Sequence, residues 1–90
     1  MSEKTPLSII IPAYNEEDRL SYTLDAVLDW SEKTVLFDIE LIVVDDGSLD
    51  RTREIVRQYM KKDARVRLIE QQHLGTVSAI ISGFKNARYS

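Results

Sequence analysis

Apolar and polar positions along this chain follow two periods, and the switch between them recurs three times. "LSIII" (7–11) is a short β-branched run and predicts a buried strand. Pro12 is expected to end it, because proline donates nothing to a strand ladder. Asn15 is a candidate helix cap, with Glu16, Glu17 and Asp18 placed where a helix dipole favours acids. Leu20, Leu24, Val27 and Leu28 then recur at helical spacing, predicting an amphipathic helix that fades near Trp30 and Ser31. "EKTVLFD" (32–38) is a connector. "IELIVV" (39–44) is apolar on both faces from Leu41, as in a parallel strand covered on both sides. Ser48 or Asp50 caps a second helix, with Thr52, Ile55, Val56, Tyr59 and Met60 turned inward. "RVRLIE" (65–70) reads as a third strand in which Ile69 breaks the alternation of Val66 and Leu68. "QQHLG" (71–75) is a loop. A last helix spans about 76–87, with Val77, Ile80, Ile81 and Phe84 as its inner face. Gly83 within it costs about 1 kcal/mol relative to alanine, which points to close packing there.

The order β-α-β-α-β-α predicts an α/β, Rossmann-like fold: a three-stranded parallel sheet flanked by helices, with right-handed crossovers. Residues 1–6 are polar and read as a flexible N-terminus, leaving 7–90 as the folded unit. The chain has 90 residues, 43% of them hydrophobic and 30% charged, which fits a soluble globular domain with a modest core. Its net charge of −3 argues against a nucleic-acid surface. Without cysteine there is no disulfide and no thiolate chemistry. No apolar run approaches the roughly 20 residues of a membrane span, and the N-terminus lacks a signal-peptide core. A cytoplasmic location is the expectation.

Parallel sheets bind ligands beyond the carboxyl ends of their strands. Three polar loops fall there: "PAYNEE" (12–17), "DDGS" (45–48) and "QQHLG" (71–75). Asp45 and Asp46 leave the strand in different directions, since successive side chains alternate. A carboxylate there can accept from a base N–H or a ribose hydroxyl; it can equally do no more than hold the turn that Gly47 permits. Tyr14 offers a flat face for stacking on a base, or is a half-buried loop aromatic. Glu16 and Glu17 suit a first helical turn. His73 could touch phosphate or act as a base, although an isolated loop histidine is commonly just solvated. The dinucleotide fingerprint, the P-loop and the hydrolase elbow are all absent, and so is any metal-ligand spacing.

"LSIIIPAYNEEDRL" followed by "DIELIVVDDGSLDRT" resembles the opening of inverting family 2 glycosyltransferases of the GT-A fold. The resemblance is closest to polyprenyl- or dolichyl-phosphate hexose synthases and covers roughly residues 6 to 88. It implies that this chain is the N-terminal, donor-nucleoside-binding half of a GT-A domain, taking a UDP- or GDP-linked sugar. By resemblance, Pro12, Ala13 and Tyr14 line the nucleoside and Glu16 supports their loop. Asp45 and Asp46 contact the base, Asp46 foremost, while Asp50 and Thr52 open the following helix. Gly75 and Ala79 match a family N-x-G-K-G-x-A loop, whereas His73, Thr76 and Val77 depart from it.

The family's next strand carries a D-x-D that holds Mg or Mn on the donor diphosphate. No D-x-D occurs in this sequence, so no cofactor is expected in this chain, and turnover is expected only from a longer parent that includes it. Such a parent would work at the membrane surface if its acceptor is a polyprenyl phosphate. The alternative function class is a non-catalytic α/β module for binding or assembly. With strand order 3-2-1, strand one would keep a free edge, so self-association through that edge or through a helix face is expected.

Overall fold

The structure, a computed structural model, describes residues 3–89. Six elements follow one another: β1 (Thr5–Ala13), α1 (Leu20–Lys33), β2 (Phe37–Asp45), α2 (Thr52–Lys62), β3 (Val66–Glu70) and α3 (Thr76–Asn86). The three strands form one parallel sheet in the order β1-β2-β3, so the predicted α/β fold and the 3-2-1 order are both found. β2 is the central strand, and every residue from Ile39 to Asp45 is buried. Those residues pack on two layers. Leu41 and Val43 face Leu20, Leu24 and Val56 from α1 and α2. Ile42 and Val44 face Ala79 of α3, with Ile69 and Ile10 alongside. Ile69 breaks the alternation of its strand because β3, too, is covered on both faces.

Several boundaries differ from the sequence expectation. β1 takes in Thr5 and Pro6, assigned above to the flexible terminus, and it runs through Pro12 instead of stopping there. The reason lies in the ladder. The Thr5 N–H donates to the Leu36 carbonyl, and the Ala13 carbonyl accepts from the Asp46 N–H. Odd positions of β1 therefore face β2, while Pro6, Ser8, Ile10 and Pro12 turn their backbone to the outer edge. A proline there removes no ladder bond.

Asn15 does not cap α1. Its φ of +51° is left-handed, the helix begins only at Leu20, and its first turn holds no acidic residue. Residues 16–20 form an intervening turn closed by the Glu16 carbonyl, which accepts from the N–H groups of Arg19 and Leu20. Of the inner face expected for α2, Thr52 and Val56 are buried and Ile55 and Tyr59 pack against the core, but Met60 is exposed. The largest correction concerns α3, where Val77, Ile80, Ile81 and Phe84 are all exposed. The helix buries its small residues, Ala79 and Gly83. It lies so close to β1 and β2 that only small side chains fit between helix and sheet.

A buried charge that the pattern did not reveal sits in β2. Glu40 is 1% exposed. Its carboxylate accepts from Ser8 Oγ at 2.7 Å, the Arg88 N–H at 2.9 Å, Arg88 Nε at 3.1 Å and the Arg67 guanidinium. Burial pushes this carboxyl up, but Arg67, Ser8 and Arg88 together outweigh it and hold the group at about 2. The effect is to tie the segment after α3 down onto the sheet. Among the described residues no helix is long and apolar enough to cross a membrane.

Candidate functional site

The three loops at the carboxyl ends of the strands are joined chiefly by side chain to backbone hydrogen bonds. Between the loops after β1 and β2, the Asn15 N–H donates to Ser48 Oγ (2.9 Å), and the Leu49 N–H returns a bond to Asn15 Oδ1 (2.8 Å). The Glu16 N–H donates to Thr52 Oγ1 (2.9 Å) and the Glu17 N–H to Asp50 Oδ2 (3.1 Å). Asp50 also accepts from the Thr52 N–H at 2.9 Å, a cap-like bond at the start of α2. Burial raises its carboxyl pKa; bonds from Thr52 and Glu17 outweigh this, so the group titrates below its usual range. Asn15, Ser48, Asp50 and Thr52 thus fasten one loop to the next. The left-handed turn at Asn15 puts backbone donors where the second loop can accept them.

Asp46 fastens the third loop. Its Oδ1 accepts from the Leu74 N–H (2.7 Å) and Gln71 Nε2 (2.8 Å), and its Oδ2 from the Gly75 N–H (3.0 Å), while His73 Nδ1 lies 3.0 Å from Oδ2 and is hydrogen-bonded to the Asp46 backbone carbonyl (3.1 Å). The Leu74 N–H foremost, then the Gln71 amide, hold this carboxyl below the usual range against the opposing effect of burial. Both glycines serve this junction. Gly47 has a φ of +79°, and a β-carbon there would stand 2.8 Å from the backbone nitrogen of His73. Gly75, at +102°, turns its N–H toward Asp46 as α3 begins.

Tyr14 and His73 stack with ring centroids 4.1 Å apart and planes inclined by 27°. Beside them opens a cleft of about 120 Å³ lined by Pro12, Ala13, Tyr14, Glu16, Asp46 and Thr76. Complete ligand pockets run to roughly 300–1,000 Å³, so this one admits a single ring-sized group. An aromatic wall on one side and a carboxylate on the other suit a flat ring bearing N–H groups. Glu16 faces the cleft with its carboxylate paired to Arg19 at 2.8 Å.

Five of the seven residues named from the sequence therefore meet at the cleft: Pro12, Ala13, Tyr14, Glu16 and Asp46. Gly75 adjoins it through its bond to Asp46. Asp45 does not line it. This side chain is fully buried, accepts from the Ser48 N–H at 3.1 Å and lies 3.6 Å from Arg53 Nε, while its Oδ1 has no hydrogen-bond partner among the described residues. Thr76 and the Tyr14–His73 stack were missed. No local pattern marks either one, since the partners come from different loops.

No cluster of three or more His, Cys, Asp or Glu side chains among the described residues could hold a metal ion. The oxygens of Asp46 are occupied by N–H donors, and Asp45 is enclosed beside Arg53. The described residues do not fit a divalent ion.

Residues 8–90 match the family described as "Glycosyl transferase family 2". The chain belongs to glycosyl transferase family 2. It is 44% identical over 82 residues to the "Uncharacterized glycosyltransferase EpsJ" of Bacillus subtilis, covering 91% of this chain and 23% of that protein. It is 39% identical to the "Dolichyl-phosphate beta-glucosyltransferase ALG5A" of Trichomonas vaginalis, covering 91% of this chain and 27% of that protein. It is 40% identical to the "Dolichyl-phosphate beta-glucosyltransferase" of Drosophila melanogaster, covering 97% and 29%. The chain spans about a quarter of the length of these family 2 relatives. The matched region contains all three loops and the cleft between them.

Proposed function

We propose that the cleft binds the nucleoside of a UDP- or GDP-linked sugar, and that residues 7–90 form the donor-binding part of a family 2 glycosyltransferase transferring a hexose. The observation that carries this reading is the convergence of Tyr14 and Asp46, a stacking face and an N–H acceptor, on a one-ring cleft at the carboxyl ends of β1 and β2. Pro12 and Ala13 form the floor and Glu16 closes the side. Asp45 acts from behind, holding the turn through Ser48 and Arg53. For the whole protein, the dolichyl-phosphate relatives support a polyprenyl-phosphate acceptor, and hence work at the cytoplasmic face of a membrane. The test is calorimetric titration with UDP, GDP and a UDP-sugar, with and without manganese. Binding that is lost in Asp46→Ala supports the reading. Absence of binding at millimolar nucleotide overturns it for this chain.

Self-association belongs to the same proposal, with the helix face favoured over the strand edge. Pro6 and Pro12 leave two of the four outward positions of β1 without an N–H, which weakens edge pairing. Val77, Ile81 and Phe84 give α3 a continuous apolar stripe on its outer side.

A further inference from the structure

We infer that Gln71 is a positioning residue of the donor site: held at its far end by Ser82 of α3, it fixes the Asp46 carboxylate so that Oδ2 is the oxygen offered to the base. The inference rests on the donor-site reading above and adds two residues that reading does not use.

An ionised carboxylate has about four lone-pair positions and turns about a single bond, so its donors decide which oxygen a ligand meets. The Leu74 N–H takes Oδ1 and the Gly75 N–H takes Oδ2. Gln71 Nε2, at 2.8 Å, is a second donor on Oδ1. Both positions on Oδ1 are then used, and the remaining acceptor capacity lies on Oδ2. His73 Nδ1 is near Oδ2 but makes its hydrogen bond to the Asp46 backbone carbonyl. Without Gln71, Oδ1 would offer a position of its own, and the carboxylate could meet a ring N–H in two ways.

An amide can do this in one orientation only. Turned by half a rotation, Gln71 would set Oε1 against Oδ1, acceptor against acceptor. Ser82 opposes that turn. Its hydroxyl donates to Gln71 Oε1 at 2.7 Å, which leaves Nε2 pointing at Asp46. A helical serine commonly points to solvent or donates to the carbonyl four residues back, as Ser31 of α1 does to Val27 at 2.7 Å. Ser82 instead reaches out of its helix to the loop after β3. Both ends of this relay are fixed. Beside Ser82, Gly83 is pressed onto Ile10 and Val44 of the sheet. The Gln71 N–H donates to the Asp45 carbonyl at 2.9 Å, one rung beyond β3. The glutamine side chain is thus a strut between α3 and the carboxylate at the end of β2.

The experiment measures the affinity of UDP and of GDP by calorimetric titration. It compares the wild-type chain with Gln71→Leu, Ser82→Ala, Ser82→Thr and the double variant Gln71→Leu/Ser82→Ala. Gln71→Leu is expected to bind the nucleotide that the wild type takes about fivefold more weakly. Ser82→Ala is expected to bind it about threefold more weakly, and Ser82→Thr, which keeps the hydroxyl, to restore wild-type affinity. The double variant should bind no more weakly than Gln71→Leu alone, since Ser82 acts through the amide, whereas two independent packing roles would add. Additive losses, or equal affinities in Ser82→Ala and Ser82→Thr, overturn the inference and leave the donor site standing. The side-chain amide protons of Gln71, followed by nuclear magnetic resonance without nucleotide, give a second readout that does not depend on the folding of the Gln71 variant. Their exchange with solvent is expected to quicken at least about tenfold in Ser82→Ala and to keep the wild-type rate in Ser82→Thr. Equal rates in all three proteins also overturn the inference. A wild-type chain that binds neither nucleotide overturns the donor-site reading and this inference with it.

Discussion

A β-carbon on Gly83 would stand 2.5 Å from Cγ2 of Ile10, and 3.1 Å from Cγ2 of Val44. α3 is thus seated on the sheet at a distance that excludes even a methyl group. In an exposed helix, glycine to alanine gains about 1 kcal/mol. Here overpacking opposes that gain at about 1–3 kcal/mol. Gly83→Ala is expected to be net destabilising by about 1 kcal/mol in urea unfolding, and adding Ile10→Ala should make the Gly83 change less costly. A more stable Gly83→Ala protein would mean that α3 can lift off without penalty.

The two adjacent aspartates should separate by phenotype. Asp46 lies on the cleft, whereas Asp45 is enclosed and bonded to the Ser48 N–H. Asp46→Ala is expected to lower nucleotide affinity at least about tenfold, in line with the loss of a buried charged acceptor. Asp45→Asn keeps an oxygen for Ser48 and gives up the attraction of Arg53. It is expected to lower stability by about 1 kcal/mol and to leave affinity within about twofold. Paired calorimetry and thermal unfolding check both, and a reversed pattern would reassign the two side chains.

Asp50 joins two loops by accepting from the Thr52 and Glu17 N–H groups. Asp50→Ala removes the cap-like bond and one link of the zipper. The expected loss is about 1–2 kcal/mol of stability. Nucleotide affinity should fall with it, because Tyr14 is carried by the loop that Glu17 helps to fix. Amide hydrogen exchange at Glu17 should quicken in the variant, and unchanged protection there would show that the remaining links suffice.

Acid should unfold the protein partly through Glu40. Its folded carboxyl titrates at about 2, below the ordinary 4.5, so it releases a proton more readily folded than unfolded. Its contribution is therefore complete above about pH 4.5 and fades as the pH falls toward 2. Asp46, Asp50 and Asp63 are shifted the same way and add to the loss. Glu40→Gln is expected to cost about 1–3 kcal/mol at neutral pH and to flatten the acid limb of the stability curve. Urea midpoints measured across that range would show it. A variant with the wild-type slope would place the acid sensitivity in the loop aspartates alone.

Self-association through α3 is checked by light scattering over a concentration series. The wild type is expected to dimerise, and Phe84→Glu, which puts a charge on the outer stripe, is expected to remain monomeric without loss of fold. A monomeric wild type at high concentration would remove this part of the proposal.

The sequence by itself determined the fold class, the order of elements and most of the candidate site. Strand and helix periods are local properties: the all-apolar run at Leu41–Val44 required cover on both faces, and helices on each side supplied it. "PAYNEE" and "DDGS" could be assigned to strand ends because a parallel sheet puts its loops there. What only the tertiary structure decided depended on distances between segments far apart in the chain. Helical spacing marked Val77, Ile80, Ile81 and Phe84 as an inner face, but the close approach of α3 to Ile10 and Val44 chose Ala79 and Gly83 instead. Asn15 and Pro12 looked like boundaries locally. Ser48 and Leu49 made Asn15 a loop fastener, and the outward edge of β1 made Pro12 harmless. Glu40 carries no local signal of its role, which Ser8, Arg67 and Arg88 set by surrounding it. His73 read as a solvated loop residue until the turns at Gly47 and Gly75 brought it against Asp46 and Tyr14. In each case the chemistry of a side chain was set by partners about 30 to 70 residues away, which no local pattern can encode.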